Sequence, residues 1–144
     1  AFEPTYSYVW NICGAVTSPS FPRACDGSVS RSSSALQFLN RSVDGYKECE
    51  MIGEYNSDQD DASYALLDIA NPAKGVSLTY TLGDRCGNHK DLYRSATIDV
   101  HCSDVEVEIE SAEEPSMCQY HFVMKSYYGC PLVSYVYFII LWLV

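Results

Sequence analysis

Seven cysteines fall in a chain of 144 residues, and four of them, Cys86, Cys102, Cys118 and Cys130, punctuate a stretch in which apolar and polar residues alternate. None of the seven forms a C-x-x-C pair, and their spacings match no zinc pattern. The three histidines, His89, His101 and His121, are not set three or four apart on any helical segment, so no metal centre is expected. Disulfides formed in an oxidising compartment are the better reading. The odd count leaves at least one thiol either free or linked to another chain.

The pattern between the cysteines is that of strands. Residues 5–13 (TYSYVWNIC) alternate aromatic or apolar with small or polar, as a strand with one buried face does. Residues 14–34, rich in Ser, Pro and Gly, read as loop, and a local Cys13–Cys25 bridge would pin them. Further strands are expected at 35–40 (ALQFLN), 46–55 (YKECEMIGEY), 64–70 (YALLDIA) and 75–82 (GVSLTYTL), and again at 92–102, 104–110 and 117–125. Val76, Leu78 and Tyr80 share one face, as do Ala96, Ile98 and Val100 together with Arg94. Val105, Val107 and Ile109 are expected inward, and so is the set Cys118, Tyr120, Phe122 and Met124. Gln37 is either a polar residue on a solvent face or an inward-facing binder. The acidic turn at 56–62 has no EF-hand glycine and glutamate in place and reads as a solvated loop. Residues 132–144 are the most hydrophobic run. It is short for a bilayer span, which takes about 20 residues, and it reads as a last core strand, the start of a membrane helix, or a strand given to a neighbour. The total is about nine strands with frequent turn signals, which defines an all-β sandwich or flattened barrel.

Composition excludes some functions. A formal charge of −10, from 9 basic and 19 acidic side chains, offers nothing to neutralise phosphates, so no nucleic acid is expected. No G-x-S-x-G, H-E-x-x-H, P-loop or dinucleotide fingerprint is present, and no catalysis is expected. Ala1 reads as a mature terminus left by signal cleavage, and the sequon Asn40-Arg41-Ser42 as a glycan acceptor at Asn40; both fit the lumen of the secretory pathway or the extracellular face of a membrane.

Five pieces of the chain, taken in order, resemble the mannose 6-phosphate receptor homology (MRH) family of lectin domains. They are YSYVWNIC, ALQFLN, GVSLTYTLGDRC, RSATIDVHC with arginine eight residues before cysteine, and EPSMCQYHFVMKSYYGCP with glutamate four before cysteine and tyrosine two after it. The last three are specific in their spacing, and the first two are weak alone. The resemblance implies two crossed antiparallel sheets over residues 1–131, stapled by disulfides. It implies a mannose site made of Gln37, Arg94, Glu114 and Tyr120, needing no cofactor. Glutamine and arginine would hold the axial 2-hydroxyl, and glutamate and tyrosine the 3- and 4-hydroxyls. Without the family pattern, the better readings are Arg94 as the partner of a surface carboxylate such as Glu110 and Tyr120 as ordinary core, and Glu113 competes with Glu114 until the proline that follows Glu114, as in the family, decides for it.

The same resemblance implies the pairs Cys86–Cys118 and Cys102–Cys130, with Cys13–Cys25 local. The family's cysteine before the glutamine falls here on Leu36, which leaves Cys49 as the unpaired thiol, buried or intermolecular. The turn before Cys86 (LGDR) is closer to members that bind unphosphorylated mannose, with Arg85 the one residue there able to meet a phosphate. The implied partners are mannose-bearing glycans in glycoprotein sorting or quality control. A self-assembling module on the same fold is the competing expectation, motivated by the odd thiol and the hydrophobic C-terminal run, which would also serve as a membrane anchor.

Overall fold

Alternation along the strands builds two sheets that meet on their apolar faces. The computed structural model describes residues 5–30, 32–55 and 62–132. A three-stranded antiparallel sheet in the order β1-β2-β3 is made of β1 (Tyr6–Trp10), β2 (Ser33–Leu39) and β3 (Cys49–Glu54). A five-stranded sheet in the order β4-β5-β6-β8-β7 is made of β4 (Ala62–Leu66), β5 (Gly75–Tyr80), β6 (Ser95–Cys102), β7 (Glu108–Ser116) and β8 (Gln119–Ser126). Every pairing is antiparallel except β6 with β8, because β8 returns from its hairpin with β7 and inserts between β6 and β7. The architecture is a flattened sandwich rather than a closed barrel. The described residues carry eight strands and only short 3-10 turns.

Ala35 and Ile52 from the smaller sheet pack on Leu78, Tyr80, Ala96, Ile98, Val100, Tyr120, Phe122 and Met124 from the larger one. Trp10 stacks on Phe122 at 4.4 Å between ring centroids. Burying one such large apolar side chain contributes about 1.5–3 kcal/mol, which is why the period-2 faces read from β5, β6 and β8 decide the sheet's orientation. A second cluster explains why β2 is apolar on both sides: its outer face carries Leu36, covered by Val16, Cys25 and Cys49. Gln37 is thereby on a strand with no solvent face and is 5% exposed.

Three strands cannot cover five. The outermost strands β4 and β7 leave apolar side chains in water, with Tyr64 59% and Ile109 50% exposed. This corrects the expected strand at 104–110. The chain turns through residues 104–107, β7 begins at Glu108, and Val107 and Ile109 are exposed edge positions rather than inward ones.

The cysteines also require a correction. Cys25 bridges Cys49, with Cα atoms 5.1 Å apart, and Cys13 is the free, exposed thiol. The expected Cys13–Cys25 pair fails because the 3-10 turn Arg23–Cys25 lies on the outer face of the smaller sheet, where Cys49 is buried beside Leu36. Cys13 follows β1 on a left-handed backbone (φ 60°), with its sulfur accepting from the Tyr64 hydroxyl at 3.6 Å. The bridges Cys86–Cys118 and Cys102–Cys130 are both present. Asn40 is exposed at the end of β2, its amide donating to Ser7 Oγ at 2.7 Å. Most of the acidic turn and of the hydrophobic C-terminal run lie outside the described residues.

Candidate functional site

The residues named from the sequence come from four different elements. Gln37 projects from the middle of β2, between Tyr8 on β1 and Glu50 on β3 in the ladder. Tyr120 lies near the start of β8, opposite Ala96 of β6. It is buried at 2% exposure, and its hydroxyl donates to Gln37 Oε1 at 3.1 Å across the sandwich. Gln37 Nε2 lies 3.4 Å from the Tyr8 hydroxyl and donates to it. Burial pushes the Tyr120 phenol well above its ordinary pKa, against the opposing pull of the Arg94 charge, so it works as a neutral donor and acceptor.

Arg94 immediately precedes β6, and its backbone is fixed by the 82–84 turn. Its N–H donates to the Asp84 carbonyl and its carbonyl accepts from Gly83 N–H, both at 2.9 Å. Glycine is required at 83, because a Cβ there would lie 2.7 Å from the carbonyl oxygens of Arg94 and Met51. The side chain is 13% exposed; Nη1 donates to the Tyr120 hydroxyl and Nη2 lies 3.7 Å from Glu50 Oε1. Its carboxylate neighbour is therefore Glu50. Glu110 is paired instead with Lys125 at 2.6 Å.

Glu114 sits where the β7–β8 ladder breaks register, between Glu113 and Ser116. Its Oε1 accepts from Cys118 N–H at 2.6 Å, and Cys118 holds a left-handed φ of 59°. A carboxylate accepts about four hydrogen bonds, so this one leaves acceptor capacity for a ligand. The Cys86–Cys118 bridge then ties this hairpin to the loop that follows Cys86.

Gln37, Arg94, Glu114 and Tyr120 line one open cavity of about 440 Å³, walled also by Tyr6, Met117 and residues 86–89. Its volume is of the order of a small-ligand site. It offers a cationic donor, a carboxylate acceptor, an amide and a phenol. Such a set satisfies hydroxyl groups, which both donate and accept. Arg85 is not part of the wall; its guanidinium lies 6.0 Å over the Tyr93 ring. Among the described residues no cluster of three metal-ligating side chains occurs.

The profile of the glucosidase II beta subunit-like protein family matches residues 33–140 of the chain, a span that includes all four residues. The chain belongs to that family. Its fold is a disulfide-stapled all-β sandwich. Solved structures similar to it include the MRH domain of glucosidase II beta bound to mannose, 26% identical, covering 67% of this chain and 83% of that one with a TM-score of 0.38. They also include the MRH domain of Yos9 complexed with α3,α6-Man5, 16% identical, covering 69% and 67% with a TM-score of 0.46. Domain 11 of the echidna receptor for mannose 6-phosphate and insulin-like growth factor is 15% identical, covering 71% and 76% with a TM-score of 0.43. No curated protein sequence matches the chain.

Two neighbours of these four cavity residues have no counterpart in the sequence reading. Tyr8 belongs to an aromatic-rich strand where nothing marks one tyrosine over another. Glu50 follows a cysteine in a run with two other glutamates. Only the register that sets Glu50 opposite Gln37 singles it out.

Proposed function

We propose that the chain binds mannose-containing N-glycans without catalysing their turnover, through Gln37, Arg94, Glu114 and Tyr120. One observation carries this reading: four polar side chains from separate elements converge on one cavity, and three of them already hydrogen-bond one another, Gln37 and Tyr120 across 83 residues of chain. In the family's arrangement, Gln37 and Arg94 meet the axial 2-hydroxyl and Glu114 and Tyr120 the 3- and 4-hydroxyls. An equatorial 2-hydroxyl would leave buried donors unpaired, at a cost of about 1–3 kcal/mol, and that penalty is the source of epimer selectivity. Three disulfides support residence in the secretory lumen or outside the cell, where a role in glycoprotein sorting or quality control is the functional setting.

The test is titration calorimetry with methyl α-mannoside and methyl α-glucoside. The wild-type chain binds the mannoside in preference, and Arg94→Ala abolishes binding while the protein stays folded. A wild-type chain with no heat of mannoside binding, or an Arg94→Ala variant that binds normally, sinks the reading.

A further inference from the structure

We infer that Glu50 is a positioning residue of the sugar site, holding the Arg94 guanidinium in the orientation that meets the ligand; this rests on the mannose reading of the cavity above. Tyr8, Gln37 and Glu50 are directly opposite one another across β1, β2 and β3, so they form one row on one face. That row faces Tyr120 and Arg94 of the other sheet. Gln37 takes the Tyr120 hydroxyl, and Glu50 takes the side of the guanidinium that Tyr120 does not.

Among the described residues Arg94 has two side-chain partners. Nη1 donates to Tyr120 and Nη2 faces Glu50, while the buried Nε–H meets no acceptor. Tyr120 is itself offered to the sugar. Glu50 is therefore the one hold on the guanidinium that is not a wall of the cavity.

Glu50 is in turn held from behind. Lys47 Nζ reaches Glu50 Oε2 at 2.8 Å and Asp84 Oδ2 at 3.2 Å. Asp84 Oδ2 accepts from Met51 N–H at 2.9 Å, and the Asp84 carbonyl accepts from Arg94 N–H at 2.9 Å. The contacts close a ring from the Arg94 backbone through Asp84, Lys47 and Glu50 to the Arg94 side chain. An exposed ion pair contributes little. This one is less screened by solvent because both partners are mostly buried, with side chains 13% and 18% exposed, so it orients the guanidinium even where desolvation offsets its stability, and the charge of Arg94 has no other anion in contact among the described residues. The ring fixes both ends of one arginine, which is what a donor aimed at a single hydroxyl requires.

Glu50→Gln keeps the shape and removes the charge. Contacts within one network couple by enough to predict a roughly five- to tenfold weaker methyl α-mannoside affinity, with the melting temperature little changed. Lys47→Gln, one step further from Arg94, weakens binding by less than about threefold on the same scale. The second readout is the Arg94 guanidinium resonance in nitrogen-15 NMR of the sugar-free chain, sharp in wild type and exchange-broadened in Glu50→Gln. Glu50→Gln binding within about twofold of wild type overturns the inference. If Glu50→Gln does not fold, the wild-type pH titration decides: an Arg94 resonance that ignores the titration of the neighbouring carboxylate overturns it, and one that follows it supports it. If wild type binds no mannoside, the lectin reading falls, and the hold on Arg94 stands or falls with the resonance alone.

Discussion

The Tyr120 hydroxyl donates to Gln37 Oε1 at 3.1 Å while accepting from Arg94 Nη1, so one phenol couples the larger sheet to the middle strand of the smaller one. Tyr120→Phe keeps the ring contacts with Tyr8 and removes the hydroxyl. Gln37 Oε1 and Arg94 Nη1 then lose their partner in a buried setting, for which the expected destabilisation is about 1–3 kcal/mol. Urea unfolding of Tyr120→Phe measures that loss, and the same variant shows no mannoside binding by calorimetry. A variant as stable as wild type would mean that the buried hydroxyl is not holding the two sheets together.

The cysteines separate two mutants by position rather than chemistry. Cys49→Ser removes the Cys25–Cys49 bridge, which spans 24 residues of chain, and the loop-closure account puts the cost at about 3–4 kcal/mol. Cys13→Ser removes an exposed thiol with no bridge and is expected to change stability by less than about 0.5 kcal/mol. Thiol titration of the folded, unreduced chain should count one reactive group in wild type and none in Cys13→Ser. Two groups in Cys13→Ser, which a Cys13–Cys25 bridge with Cys49 free would give, would refute the pairing.

What could be read in advance follows from which interactions are local. Period-2 patterning placed Leu78, Tyr80, Ala96, Ile98, Val100, Tyr120, Phe122 and Met124 on the buried faces, because alternation is written in consecutive residues. The fate of Val107 and Ile109 was not legible, since an edge strand and a covered strand carry the same alternation and differ only in what the other sheet reaches. Periodicity alone leaves Gln37 undecided, and only the family resemblance assigns it, for a related reason: β2 is covered on its second face by the loop around Val16 and Cys25, and no periodicity reports a loop. The partner of Cys25 was misassigned because sequence proximity favours Cys13, whereas packing beside Leu36 favours Cys49. Glu50 needed the register itself.

Gly53 gives a prediction about how the sheets meet. A Cβ at this position would lie 2.5 Å from Tyr80 Cβ, a side-chain root that cannot swing away. Tyr80 is also anchored at its far end, its hydroxyl donating to the Asn11 carbonyl at 3.0 Å and accepting from Cys13 N–H at 2.9 Å. Gly53→Ala therefore overpacks the interface and should cost about 1–3 kcal/mol, measured by thermal or urea unfolding. Since Glu50 shares β3 with Gly53, displacement of this strand should also weaken mannoside binding. Unchanged stability in Gly53→Ala would show that the two sheets slide apart without penalty.

Acidification should move stability and binding in opposite directions through Glu50. Burial raises its pKa above the ordinary 4.5, against the opposing pull of Lys47 and Arg94. A folded-state pKa that is raised means the folded chain binds the proton more tightly than the unfolded chain. The Glu50 contribution to stability therefore grows as pH falls through the raised value and levels off below the unfolded value near 4.5. Asp84, which faces the same Lys47, behaves oppositely. Burial works to raise its pKa, but the Met51 N–H and the bonds to Glu50 and Lys47 outweigh it and leave it below 3.8. Its contribution is present above 3.8 and is lost only as pH falls through the lower, folded value. Between neutral pH and about the Glu50 value, Asp84 is thus silent and Glu50 alone of the two responds. Protonating Glu50 removes the anion beside Arg94, so mannoside affinity should fall over the interval in which the Glu50 contribution to stability rises. Calorimetry and urea unfolding across that interval, on wild type and Glu50→Gln, check both signs. The expected result is a pH-dependent fall in wild-type affinity that is flattened in Glu50→Gln, and an equal fall in both proteins would assign the effect to another group.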